Sequence, residues 1–470
     1  MRKLNSSRLL ICMDRKEKIL PVKSTLTGNG IRLTVRNRQF AISYPSAIWK
    51  KTPPEIRQLL LENLTFGNTH YLGVIHGYDR IQYNTPLPLF ESLLFRNQAV
   101  SIVKAEKYDK VPPLTYLRAF FNLQYDFVSR PTALPFGTKR REFHALKPTA
   151  VIPFTFGKES LATFALCREL GIKPVLVYSQ EPSSPYEEAY KKKQLVRFSK
   201  EFGVDAYFVK NEPGLFRYDA AFKEKPGTEV GWGSQTTLLS WQVLPFVFAY
   251  QAQYILFGSE HLNNEYGFNE AGWRVQYSYD QSTFFTQEQD AAIRVVTEGN
   301  CRVRTSLEPL DETSILFLLH HRYHEIGKYQ FSCTGEQPLY AGSQWCHRCY
   351  KCWRMFLIAC VVGVDPYSFG FKKDLLNEPG VFTNYFGSDI KSGSNDELDF
   401  CFYALLKKKW PSRYVQLFQK TRLPHLKPWG VYRRAFTSLQ SHYNLPPDFQ
   451  NRLVAIFKAE LRALDKVLPA

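Results

Sequence analysis

"TAVIPFTFGKESLATFALCREL", residues 149–170, decides how the chain is read. Residues 149–154 are almost all apolar or β-branched, which suits a strand buried on both faces. The pattern breaks at Thr155-Phe156-Gly157-Lys158-Glu159-Ser160 and resumes with helical periodicity. A strand running through a glycine-bearing turn into a helix aims backbone amides, and the positive end of the helix, outward. Gly157 lets a phosphate approach the backbone, Thr155 and Ser160 add hydroxyls, and Lys158 adds positive charge. Glu159 could hold Mg2+ beside the phosphates. Many α/β connections share this outline, and neither the Walker spacing nor the dinucleotide glycine pattern is present. On these residues alone, phosphate binding and a plain connection both stay open.

Outward from this stretch, the pattern predicts strands near 149–156, 174–179, 205–209 and 254–258. Amphipathic helices are expected near 160–170, 185–203, 234–253 and 312–327. Such alternation implies an α/β fold with a parallel sheet covered on both faces and ligands at the carboxyl ends of the strands. Residues 155–160 fall at such an end, as do Glu260 and His261, which could touch substrate. Arg302 and Arg304 alternate on an expected strand and could face a carboxylate or phosphate. Gly233 and Ser234 open a helix, as a cap or as a second nucleotide contact. His320 and His324 are spaced one helical turn apart, as a buried helix face or a metal pair.

Residues 1–148 look like a basic α+β domain. "GIRLTVRNRQFAIS" alternates like a hairpin, and "TPPEIRQLLLENL" starts a helix with Thr52 as its expected cap. "HYLGVIHGYDRIQYN" looks like strand and "LTYLRAFFNLQYDFV" like helix. From Ser129 to Pro148 a Pro-rich basic stretch with Lys139, Arg140 and Arg141 suits a linker. Residues 149–365 form the α/β part. Residues 366–470 form a helical extension, carrying "ELDFCFYALLKKKW", "DFQNRLVAIFKAELRALDKVL" and a polar, mobile-looking "FGSDIKSGSNDE".

The net charge of +18 is uneven: residues 1–150 carry 24 Lys and Arg against 10 Asp and Glu, 151–365 carry 21 against 24, and 366–470 carry 16 against 9. Basic flanks suit RNA or an acidic protein surface, or simply a solvated exterior. The greasiest segment, "LLSWQVLPFVFAYQAQYILFG", is broken by polar residues and proline and reads as buried helix then strand, so no membrane span is expected. The apolar run near the N-terminus is too short for a signal peptide, and a cytoplasmic protein is the expectation.

Nine cysteines in 470 residues do not make a disulfide scaffold, yet Cys333, Cys346, Cys349 and Cys352 cluster. Cys-x2-Cys-x2-Cys with a fourth thiolate 13 residues upstream can close one tetrahedral Zn2+ site. The same spacing could begin an iron–sulfur site. His347 lies between ligands, but four thiolates already complete a shell. Cys12, Cys167, Cys301, Cys360 and Cys401 read as buried core residues.

The turn resembles the pyrophosphatase loop of the ATP-pyrophosphatase (PP-loop) family, Ser-Gly-Gly-x-Asp-Ser. Thr155 stands at the first serine, Phe156 at the first glycine and Gly157 at the second. Glu159 stands at the aspartate and Ser160 at the last serine. Turn and cysteine cluster, about 175 residues apart, together resemble the 7-cyano-7-deazaguanine synthase branch. "AYQAQYILFGSEHLNN" is similar to that family's strand ending in glycine, here Gly258. "RTSLEPLDETSILFLLHHRYHEIGKYQFSCTGEQ" is similar to its helix before the zinc site. The likeness covers residues 149–362. It departs at Phe156, at Leu310 and Asp311, where a lysine commonly precedes the glutamate corresponding to Glu312, and in the absence of an Asp, Cys and Arg signature between 259 and 292.

The resemblance implies a doubly wound sheet like that of the adenine nucleotide α-hydrolases, with ATP, Mg2+ and Zn2+ as cofactors. Thr155, Phe156, Gly157, Lys158, Glu159, Ser160 and Gly258 would bind nucleotide, Lys158 and Glu159 would be catalytic, and the four cysteines would hold zinc. The activity implied is ATP-dependent adenylation of a carboxylate, 7-carboxy-7-deazaguanine, followed by capture by ammonia or by an amine of a partner protein. The latter is the reaction attributed to enlarged relatives in antiphage operons. Two alternatives remain: adenylation of a tRNA base for thiolation, and a nucleotide-independent adaptor whose loop is blocked by Phe156.

Overall fold

The structure, a computed structural model, describes residues 16–128, 142–182, 185–276, 278–333, 338–340, 343–387, 395–441 and 443–470. Cys12, the Lys139-Arg140-Arg141 part of the expected linker and residues 388–394 of the polar stretch lie outside the described residues.

The strands are β1 (Ile19–Thr27), β2 (Gly30–Val35), β3 (Arg38–Ser43), β4 (Arg80–Tyr83), β5 (Gln124–Asp126), β6 (Thr149–Pro153), β7 (Lys173–Gln180), β8 (Asp205–Asn211), β9 (Tyr254–Phe257), β10 (Gly267–Phe268), β11 (Arg274–Val275) and β12 (Arg302–Thr305). All but the β10–β11 hairpin form one ten-stranded sheet, ordered β12-β9-β6-β7-β8-β3-β2-β1-β4-β5. From β12 to β8 every pairing is parallel. β3 then joins β8 antiparallel through Ile42–Asn211 and Ser43–Lys210, and the β1–β2–β3 meander is antiparallel before β4 and β5 return to parallel. The protein is thus α/β with a mostly parallel sheet, one sheet drawing strands from both sides of residue 148.

Two cores cover the two faces. Ala150, Ile152 and Phe154 of the β6 segment face a core built with the helices Lys158–Leu170, Pro185–Phe202, Glu312–His321 and Tyr350–Val362, and with the later helices Asp396–Lys407 and Gln450–Val467. Val151, between them, faces the core shared by Pro54–Thr69, Ser234–Gln242, Leu244–Tyr250 and Thr283–Val296. Alternation within a strand that is apolar on both sides produces this division. Ile152, Phe154 and Val151, fully buried, each contribute about 1.5–3 kcal/mol.

The connections from β6 through β7 to β8 place their helices on the first face, whereas those from β8 through β9 to β12 place theirs on the second. The winding reverses between the adjacent strands β6 and β9, the position at which sheets of this kind bind ligands beyond the strands' carboxyl ends.

Several local expectations change. Thr52 does not cap the helix Pro54–Thr69; it ends the short helix Ser46–Lys51, and its hydroxyl donates to Ile48 O at 3.2 Å. "HYLGVIHGYDRIQYN" divides into the helix Leu72–His76 and β4, and "LTYLRAFFNLQYDFV" into the helix Thr115–Asn122 and β5. The helix expected over 234–253 breaks at Val243, before Pro245, whose ring cannot sit inside a helix. Among the described residues no helix is long and apolar enough to cross a membrane.

Candidate functional site

The turn at 155–160 leaves β6 beside the carboxyl end of β9, at the reversal point. Phe156 takes a left-handed backbone (φ +61°), the conformation that favours glycine, and its ring is buried against Phe154, Phe198 and Tyr329. The aromatic ring therefore anchors the turn from inside the core. Ser160 Oγ donates to Gly157 O at 3.1 Å and accepts from Thr155 N at 3.3 Å, closing the turn on itself. A second segment braces it: Phe331 N donates to Phe156 O at 2.8 Å, and Lys158 N donates to Ser332 Oγ at 3.3 Å. Gly258 ends β9 directly against the turn. A Cβ there would lie 2.7 Å from Glu159 Cβ and 2.8 Å from Glu159 O, so only glycine fits.

Lys158 turns inward and is 2% exposed. Its ammonium pairs with Glu159, with Glu312 Oε1 at 2.8 Å and with Glu260 Oε2 at 3.4 Å. Oxygens of these three carboxylates lie within 4.8 Å of one another, close enough to hold a metal ion. Arg354, from the helix that follows the cysteines, pairs with Glu312 and with Glu397 at 2.8 Å. Burial alone would lower Lys158, but Glu159, Glu260 and Glu312 raise it well above the ordinary lysine value. Burial would likewise raise Glu312, yet Arg354 and Lys158 outweigh it and hold that carboxyl at about 2. Glu260 has the opposite balance: burial, against the pull of Lys158 and with the push of Glu312 and Glu159, lifts it to about 8. Two carboxyls in one cluster are thus driven apart in acidity.

The four cysteines gather at the same end. Sulfur–sulfur distances are 3.5 Å for Cys349–Cys352, 3.6 Å for Cys346–Cys352, 3.7 Å for Cys333–Cys352 and 3.8 Å for Cys333–Cys349. A tetrahedral ion with bonds of about 2.3 Å to sulfur needs thiolates about 3.8 Å apart, so this group could bind a metal ion such as zinc. Cys349 N points at Cys346 Sγ at 3.3 Å, the kind of amide contact that tempers thiolate charge. His347 stays out of the group: Nδ1 donates to Trp345 O at 2.7 Å, and Nε2 accepts from Lys372 N at 2.9 Å.

Of the other candidates, Glu260 joins the lysine cluster, while His261 Nδ1 is buried with no hydrogen-bond partner among the described residues. Arg302 and Arg304 meet a carboxylate from within the chain, Asp290, at 3.1 and 2.8 Å. His320 and His324 do not form a pair; His320 bonds Gln330 at 2.7 Å, and His324 starts the next short helix. No lysine precedes Glu312, but Lys158 brings an ammonium to that glutamate from the turn. Arg354 and Glu397 escaped sequence reasoning, since nothing in a helical "CWRMF" marks its arginine as facing a buried acid. No protein-family model matches the chain, and no curated protein matches it.

Proposed function

We propose that the chain activates a carboxylate as its AMP ester and passes it to a nitrogen nucleophile. The carrying observation is the meeting, at the β6–β9 reversal, of a helix N-terminus with the carboxylates of Glu159, Glu260 and Glu312 around Lys158. Together with the resemblance of residues 149–362, this supports a doubly wound PP-loop fold. A substrate carboxylate oxygen attacks the α-phosphorus of ATP, the bond to the bridging oxygen breaks, and pyrophosphate leaves over Thr155–Ser160. Glu159 would hold Mg2+, which would offset charge on the phosphates, and the ammonium of Lys158, held also by Glu260 and Glu312, would face the departing pyrophosphate. The amine then attacks the acyl carbon and AMP leaves. Zinc on four thiolates has no open position, so Cys333, Cys346, Cys349 and Cys352 stiffen the pocket wall and the Phe331–Ser332 brace. By resemblance the acid is 7-carboxy-7-deazaguanine.

The test is incubation with ATP, Mg2+ and that acid, with ammonia or candidate partner proteins, reading AMP and product masses. One AMP per amide is expected, or two per nitrile, since the amide oxygen must be activated by a second ATP before it leaves; no AMP with any acceptor overturns the proposal. One observation favours a second reading, a nucleotide-independent adaptor: Lys158 already serves as the counter-ion of the carboxylates. Calorimetric titration with ATP and Mg2+ separates the two, the adaptor giving no heat.

A further inference from the structure

A cleft of about 610 Å3 lies where three helices end. Its wall carries His321, Val362 and Val467, the last residues of the helices Glu312–His321, Tyr350–Val362 and Gln450–Val467. The first two of these helices start at the candidate site, one with Glu312 and the other just after Cys349. Their ten and thirteen residues therefore set the cleft about 15–20 Å from that site. Three helix C-termini, each partly negative, converge on one cavity.

Two acids add to this field. Lys328, also in the wall, is shared between Glu325 at 3.0 Å and Glu201 at 2.9 Å, whereas Asp365 has no ion pair among the described residues. Asp365 Oδ1 accepts from Tyr367 N at 3.0 Å. His320 supplies an oriented acceptor. Gln330 Nε2 donates to Ser332 Oγ and to Met355 Sδ, both at 3.3 Å, and a thioether can only accept. The atom of Gln330 that faces His320 Nε2 at 2.7 Å is therefore its carbonyl oxygen, so the ring proton sits on Nε2 and Nδ1 keeps a lone pair. Burial, against the bond to Gln330, pushes this imidazole down to about 4, and it is neutral near pH 7. Gly327 leaves Nδ1 uncovered, since a Cβ there would lie 2.8 Å from it. The other two histidines of the wall are turned to acids of the chain, His321 to Glu460 at 2.8 Å and His324 to Glu325 at 3.1 Å, and do not gather for a metal.

We propose that this cleft binds a small organic ammonium, its N–H donating to His320 Nδ1, its charge facing Asp365 and the helix ends, and its apolar body against Phe317, Val364 and Phe369. The same helix ends disfavour phosphates and carboxylates. A bare metal ion would leave most of the volume empty. The site is separate from the reaction proposed above and does not depend on it.

The test is calorimetric titration of the full chain, without ATP, with hexylamine, and with hexanol and hexanoate as neutral and anionic controls of equal length. Hexylamine is expected to bind, hexanol at least about tenfold more weakly and hexanoate not at all. Asp365→Asn keeps the acceptor for Tyr367 N but removes the charge, and should weaken hexylamine about tenfold, as loss of a charged partner does. Gly327→Ala, which covers Nδ1, should weaken it as much. The melting temperature shows that each variant is folded. No binding of hexylamine, equal binding of the three probes, or wild-type affinity in Asp365→Asn would overturn the assignment. Because no ATP is present and no AMP is read, failure of adenylation leaves the cleft standing, and failure here leaves the reaction standing.

Discussion

The four cysteines, which could bind a metal ion, and the three glutamates around Lys158 are two clusters of different construction at one end of the sheet. Three of the thiolates lie within seven residues, on a knuckle opening the helix Tyr350–Val362, and their spacing suits an ion from outside. The carboxylates come from three separate connections, after β6, after β9 and after β12, and they surround a cation the chain itself supplies, Lys158. Short-range sequence can build a site for a permanent ion. Topology is needed to gather carboxylates from three connections around a lysine of the same chain.

Removing a thiolate should have the largest effect. Cys346→Ser should lose its metal, found by elemental analysis, and melt at much lower temperature or fail to fold, since structural zinc binds with about 10–16 kcal/mol of apparent free energy. A full metal complement with unchanged melting would erase the contrast between the two sites. Lys158→Met comes next. It leaves Glu159 and Glu260 without their ammonium, Glu312 keeping Arg354, and should cost about 3–5 kcal/mol in urea denaturation without divalent ions. Added Mg2+ should recover part of that loss in the variant and little in the wild type; equal stabilisation of both would mean that lysine and metal do not compete.

The smallest effect is a pH slope. Glu260 has a folded-state pKa raised from 4.5 to about 8, so between those values the folded chain holds a proton that the unfolded chain releases. Its contribution is complete below about pH 4.5 and is lost as pH rises through about 8, by at most about 1.4 kcal/mol per unit. Denaturation at pH 6 and pH 8 should show this decline in the wild type and a flatter response in Glu260→Gln. A steeper response in the variant would place the titration elsewhere. Glu312, held down, acts in reverse, and its share is lost only as pH falls below about 4.5.

The alternation from Thr149 to Gly258 was legible because a strand buried on both faces has no polar residue to blur its ends. The cysteine group was legible because its ligands are neighbours in sequence. Glu260 could be singled out by its place after a strand. Arg354 and Glu397 could not, because each owes its role to a partner more than 40 residues away, a distance over which a single sequence carries no pairing signal. The hairpin of β2 and β3 was visible, yet its junction with β8 rests on two residue pairs and left no pattern. Thr52 misled because a hydroxyl before two prolines fits the end of one helix as well as the start of another.

Gly258 leaves a mark on descent. With Glu159's main chain 2.8 Å from where any methyl would sit, that position cannot drift while the strand and the turn stay in contact. Homologues that share this architecture should keep glycine there even where Phe156, the flanks and the acids have all been replaced, and it is the residue by which distant kin could be aligned.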